Sequence, residues 1–297
     1  MVGIKSFGEA INFVFSNPKL VILPLIVLLA FAPIRAYLQK DISSIYPLEE
    51  LEKGLMVEEY GAVGSAFLPE SFLKKLLFVS LLQLLISSAI QYGIVLYSAE
   101  VRRGKNFSIL DSLIVGFEHI APAFLLNILI ILIIALFAIV VAFPFLIIIG
   151  LGVLGDTHGL VSIGLLLLMF AELVFIPFLV GMTSVVFPAY VLEGSIGKAI
   201  KAMFIPLRKK LSTYGFGLLL VLSAIALLVA GSIAYTMVYL LSPNFVGILI
   251  GLLLQSPFVA LLFVLTSVAG LIFYQNLVDE VKLLSESSGI MPDVRTY

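Results

Sequence analysis

Residues 121–149 read APAFLLNILIILIIALFAIVVAFPFLIII, without one charged side chain. About 20 mostly apolar residues carry an α-helix across the hydrocarbon core of a bilayer. A helix also satisfies its own backbone N–H and C=O groups where no water can. The run therefore reads as a membrane-spanning helix. Working outward, five more candidates appear: Leu20–Leu38, Leu73–Ala99, Leu160–Pro188, Tyr214–Leu241 and Phe245–Tyr274. The first is the weakest, being short and interrupted by Pro24 and Pro33. Its apolar run from Leu20 ends in Arg35 without a small-x-small cleavage pattern, so it reads as an uncleaved span rather than a signal peptide.

Composition agrees. The 297 residues are 62% hydrophobic and 12% charged, against about 45–50% and 25% in soluble domains. Net charge is −1 and no basic run of the RNA- or DNA-binding type occurs, so no nucleic-acid partner is expected. The absence of Cys excludes disulfides, thiolate metal sites and Cys nucleophiles. With His119 and His158 as the two histidines, no metal centre and no cofactor are expected. The scarcity of Asn and Gln fits a thermophilic source, and a membrane composition as well. No Walker loop, dinucleotide-binding glycine pattern, Gly-x-Ser-x-Gly elbow or His-Glu-x-x-His is present. The expectation is a protein that is not an enzyme.

Most of the 17 Lys and Arg fall in segments on one side of the six spans. Lys5 and Lys19 precede the first. Arg102, Arg103 and Lys105 follow the second, and Lys198, Lys201, Arg208, Lys209 and Lys210 follow the fourth. Lys282 and Arg295 follow the sixth. The positive-inside rule puts this side, and both termini, in the cytoplasm, and the cell membrane is the expected location. Arg35, Lys40, Lys53, Lys74 and Lys75 fall on the other side. There the loop 39–71 is acidic, with Asp41, Glu49, Glu50, Glu52, Glu58, Glu59 and Glu70. Leu48, Leu51, Leu55 and Met56 have helical spacing, which predicts a short surface helix. The tail 281–297 is polar and is expected to end in disorder.

Three segments on the basic side share a pattern: Ser6-Phe7-Gly8-Glu9-Ala10-Ile11, Ser108-Ile109-Leu110-Asp111-Ser112-Leu113 and Ser195-Ile196-Gly197-Lys198-Ala199-Ile200. Each begins with Ser, a natural N-cap, and the first reads as a capping box. Positions +1, +4, +5, +8 and +9 from each Ser form one helical face, and the last is Phe15, Phe117 or Phe204. A proline follows each: Pro18, Pro122 or Pro206. The even spans add support. Glu172 stands eleven residues before Thr183-Ser184-Val185, and Gln255 eleven before Thr266-Ser267-Val268. Spans two and four end alike, in Tyr97-Ser98-Ala99-Glu100 and Tyr190-Val191-Leu192-Glu193. The predicted fold is an all-α polytopic bundle forming one membrane domain. Its six spans form three hairpin repeats (about 1–100, 101–190 and 191–280), each preceded by an interfacial amphipathic helix.

The stretches Arg103-Gly104-Lys105 to Asp111 and Val191-Leu192-Glu193-Gly194 to Ala199-Ile200 carry a resemblance. With the interfacial-helix, span, span order, nearly the whole chain resembles a six-helix prokaryotic membrane family of unassigned function. A related domain is fused ahead of the catalytic domain in some glycerophosphodiester phosphodiesterases. The resemblance implies the membrane fold alone. The phosphodiesterase domain is missing here, so it implies no such activity.

Two groups of residues are candidates for function. Glu172 lies mid-span, where burying a carboxylate costs on the order of 3 kcal/mol. Gln83 and Gln255 are placed to meet it at one level, and Gln83, Ser87 and Gln91 form an i, i+4, i+8 stripe. These residues read either as interhelical hydrogen-bonding glue or as a proton, cation or substrate site. Pro144 and Pro177 predict kinks within spans three and four. The second group, Lys198, Lys201, Arg208, Lys209 and Lys210, suits anionic lipid at about 1 kcal/mol per charge, or topology alone. The expected role is membrane-organising, lipid-interacting or scaffolding, with the bilayer and an unidentified membrane protein as partners. The alternative is a small secondary transporter using Glu172, which threefold hairpin repetition disfavours because most transporters use inverted repeats.

Overall fold

The computed structural model describes residues 2–45 and 70–287. Among these all regular structure is helical, in the order α1 Val2–Ser16, α2 Lys19–Ile45, α3 Glu70–Arg102, α4 Ile109–Glu118, α5 Ile120–Leu154, α6 His158–Thr183, α7 Val186–Glu193, α8 Ile196–Ala202, a 3-10 turn Ile205–Lys209, α9 Lys210–Leu241 and α10 Phe245–Ser287. Six stretches of this series are long and apolar enough to cross a membrane, which makes the chain a multi-pass membrane protein. The predicted surface helix at 48–56 and the end of the polar tail lie outside the described residues.

Local chemistry explains several boundaries. Ser108 caps α4: its hydroxyl accepts from the Leu110 N–H at 3.2 Å. Ser6 does not cap α1, contrary to the sequence reading. The helix starts four residues earlier, and the Ser6 hydroxyl donates back to the Val2 carbonyl at 2.9 Å. Ser195 has the extended N-cap backbone before α8 but makes no side-chain cap bond. Gly194 ends α7 in the left-handed region at φ 69°, a conformation nearly free of cost only for glycine. The fourth predicted span breaks at Ser184–Val185 into α6 and α7. Pro188 has no N–H for the Ser184 carbonyl, so the helical ladder loses a rung there.

The first predicted span proves longer than its reading. Helix α2 continues past Leu38 to Ile45, so Arg35, counted with the outer-side basic residues at the end of the predicted span, lies more than two turns inside the helix. Helix α10 likewise runs on to Ser287 through the start of the predicted polar tail.

The described residues form two compact units. The first comprises those up to Leu20, Ser88–Ile225 and those from Phe263 onward. Its core stacks Phe216 on Phe273, ring centroids 4.0 Å apart, among buried Val14, Ile94, Leu126, Val185 and Ile272. Small residues let its helices approach backbone to backbone. A Cβ at Gly181 would overlap the Thr213 carbonyl, and one at Gly217 the Pro177 carbonyl. Such close crossings are how membrane helices gain packing energy without a hydrophobic drive. The α5–α6 hairpin is largely uncovered, with 6% and 11% of the residues in its most apolar stretches buried.

The second unit comprises Val21–Ser87 and Ala226–Leu262, within the described residues. It contains most of α2, the first part of α3 and the α9–α10 turn. Asn244 shapes that turn, its Oδ1 accepting from Val246 N at 2.9 Å and Gly247 N at 3.1 Å. Tyr235 stacks on Tyr239. Leu28, Phe31, Ala32, Phe72, Ile248 and Ala260 are buried.

Candidate functional site

The three short helices α1, α4 and α8 each continue into a long helix through a break near a proline: Pro18, Pro122 or Pro206. In all three the positions four and eight residues after the leading Ser are buried: Ala10 and Val14, Ser112 and Gly116, Ala199 and Met203. Position nine, the phenylalanine, points away from the protein: Phe15 is 71% exposed, Phe117 48% and Phe204 53%. The expected apolar face is thus split, one part packed on protein and its rim left uncovered.

Polar contacts join the first unit around these helices. Arg102 Nε donates to Gln275 Oε1 at 3.1 Å, and its Nη2 lies 3.5 Å from Glu9. Asn276 donates to Ser6 Oγ at 2.9 Å and to Glu9 at 3.4 Å. α1, α3 and α10 are thereby stitched together. Tyr274 donates its hydroxyl proton to Glu193, whose carboxylate also lies 3.9 Å from Lys198. Glu100 accepts Arg103 at 2.8 Å and Lys105 at 2.5 Å. Gly3 N–H donates to Ser212 Oγ at 2.7 Å. Each partly exposed ion pair contributes about 0–1 kcal/mol, so these contacts set register more than stability.

The basic group behaves unevenly. Lys209 pairs with Glu280 at 3.0 Å, and Lys198 pairs weakly with Glu193. Arg208 is exposed and engaged within the protein. Lys201 and Lys210 are exposed, and neither has an ion-pair partner among the described residues. Lys210 lines a groove of about 390 Å3 with Val174, Phe175, Phe178, Leu211 and Tyr214. A groove of similar volume in the second unit, lined by Leu228, Val229, Ser232, Ile233, Thr236, Met237 and Leu240, carries no charge.

The intramembrane candidates find separate neighbours. Glu172, in the first unit, is exposed and has no hydrogen-bond or ion-pair partner among the described residues. Gln91 accepts from Asn127 Nδ2 at 3.0 Å, and the same amide donates to Ser88 at 2.9 Å. In the second unit Gln83 Oε1 accepts from both Nε and Nη2 of Arg35, at 3.1 and 2.7 Å. Gln255 lines a water-sized cleft with Arg35, Leu28, Ala32, Leu252, Ser256 and Val259. The Gln83–Ser87–Gln91 stripe thus divides between two networks. Sequence reading missed Arg35, because it was counted only as an outer-side charge at the end of span one, and Asn127, an isolated amide in an otherwise apolar run. His119 stacks on Tyr92 at 4.7 Å and caps α4, a packing role. No cluster of metal-ligating side chains occurs among the described residues.

No protein-family model, no curated protein and no solved structure matches the chain. The resemblance carried by Arg103–Asp111 and Val191–Ile200 therefore rests on those residues alone.

Proposed function

We propose that this protein is a non-catalytic, membrane-organising bundle of three hairpin repeats that binds lipid at its cytoplasmic face. One observation carries the reading: three short helices with the same two positions buried and the same phenylalanine exposed. Phenylalanines 48% to 71% exposed, with exposed cations at Lys5 on α1, Lys201 on α8 and Lys210 at the start of α9, suit the headgroup boundary, where apolar rims dip and cations meet anionic lipid. On this reading both termini are cytoplasmic and the cell membrane is the site of action. The uncovered α5–α6 hairpin offers its surface to lipid or to a membrane partner.

The chain has no Trp, so Phe15→Trp, Phe117→Trp and Phe204→Trp each create a single reporter. In vesicles containing brominated lipids, all three should be quenched most by bromines near the headgroups, and all from the same leaflet. One reporter quenched from the opposite leaflet, or left unquenched, would overturn the repeat and the proposed orientation.

A second reading, transport through Glu172, draws on one observation: a mid-span carboxylate with no partner among the described residues. Such groups commonly mark ion pathways, yet they do so facing an enclosed cavity, whereas Glu172 is exposed.

A further inference from the structure

We propose that the groove between α6 and the start of α9 seats one anionic phospholipid. Its phosphate lies on Lys210 and Tyr214, and an acyl chain runs along Val174, Phe175 and Phe178. This rests on the lipid-binding reading above and gives it one address.

The groove follows from how the two helices cross. Gly181 meets Thr213, and Gly217 meets the Pro177 carbonyl, so the backbones touch along a seam. Side chains flanking that seam become walls. One wall is apolar, from α6. The other, from α9, contributes Leu211 and the apolar parts of Lys210 and Tyr214, one turn apart, so the groove surface itself is wholly apolar. Residues four apart share a helix face, so the polar ends of Lys210 and Tyr214 belong to the same rim, outside the apolar surface of the groove. The volume, about 390 Å3, is within the range of small-ligand sites.

Charge selects the occupant. Of two adjacent lysines, Lys209 is neutralised inside the protein by Glu280 at 3.0 Å. Lys210 has no carboxylate in reach among the described residues, and the Tyr214 hydroxyl has no hydrogen-bond partner among them. A cation and a hydroxyl donor at the mouth of an apolar trough fit a molecule that is anionic at one end and hydrocarbon at the other. A free phosphate would satisfy the mouth and leave the walls unused. A zwitterionic lipid would use the walls and bring a cation of its own to Lys210.

The test is native mass spectrometry of the full chain in a neutral detergent, titrated separately with phosphatidylglycerol, phosphatidylcholine and inorganic phosphate. One favourable charge contact corresponds to about fivefold in affinity. Phosphatidylglycerol should bind about fivefold tighter than phosphatidylcholine. Lys210→Gln should abolish that preference, and Tyr214→Phe should weaken it less. Val174→Trp, filling the trough, should reduce binding of both lipids. Lys75→Gln, an exposed cation outside the groove, should change nothing. Lys210 is exposed and has no ion-pair partner among the described residues, so its variant should keep the wild-type circular dichroism. The inference is overturned if Lys210→Gln binds phosphatidylglycerol like wild type. It is equally overturned if Lys75→Gln loses as much as Lys210→Gln, or if inorganic phosphate alone binds as tightly as the lipid. In those cases the broader lipid reading survives as a diffuse surface or gives way to a free-anion site. No anionic preference in any arm would remove both.

Discussion

Arg35 gives two hydrogen bonds, from Nε at 3.1 Å and Nη2 at 2.7 Å, to a single oxygen, Oε1 of Gln83. No carboxylate pairs with this guanidinium among the described residues. A neutral amide therefore carries the solvation of a cation lying within an apolar helix, where charge is costly. Replacing Gln83 by Leu keeps the bulk and removes the acceptor. Hydrogen bonds to charged groups contribute about 1.5–3 kcal/mol, so Gln83→Leu should lower stability by about that amount in detergent unfolding. Gln83→Glu should recover it by forming an ion pair. A Leu variant as stable as wild type would show that Arg35 is solvated by other means.

Glu172 predicts the opposite sign. It loses no contact on replacement, since it has no partner among the described residues. A carboxylate within a span costs on the order of 3 kcal/mol at the helix centre. Glu172→Leu should leave the unfolding midpoint unchanged or raise it. In proteoliposomes, Glu172→Gln should show the same background proton flux as wild type. A destabilised Leu variant, or wild-type flux lost on the Gln substitution, would restore Glu172 as a working residue.

Two glycines on α9 make an internal control. Gly217 lies against the Pro177 carbonyl, whereas nothing lies within 4 Å of a Cβ placed on Gly215. Gly217→Ala should force α6 and α9 apart and cost about 1–3 kcal/mol. Gly215→Ala should stabilise by up to about 1 kcal/mol through helix propensity alone. Equal effects in thermal unfolding would mean the two helices do not touch at Gly217.

Tyr274 and Glu193 join the end of α7 to α10. Tyr274→Phe removes one proton donor from a partly exposed carboxylate and preserves the ring's packing. A loss of about 1–2 kcal/mol is expected, below the full value for a buried charged bond because water reaches Glu193. Hydrogen exchange should rise locally in α7 and α8. Protection unchanged there would assign the joint to packing alone.

Residue by residue, some features were legible in the chain and others were not. The uncharged run at 121–149 announced a spanning helix, because helix length and hydrocarbon thickness are matched by simple geometry. Ser108 was readable as a cap because capping is a local bond between a side chain and an N–H two residues on. Ser6 was not, since the same motif lies inside a helix once α1 begins at Val2.

Length, apolarity and period made the chain helical and suited to the bilayer, because those properties belong to each segment by itself. Partner choice did not follow from them. Whether Gln83 would face Arg35 or Glu172, which lysine Glu280 would neutralise, and where two glycines would open a groove depend on helix rotation and register. Those are set by packing between segments distant in sequence, and only the tertiary structure decided them.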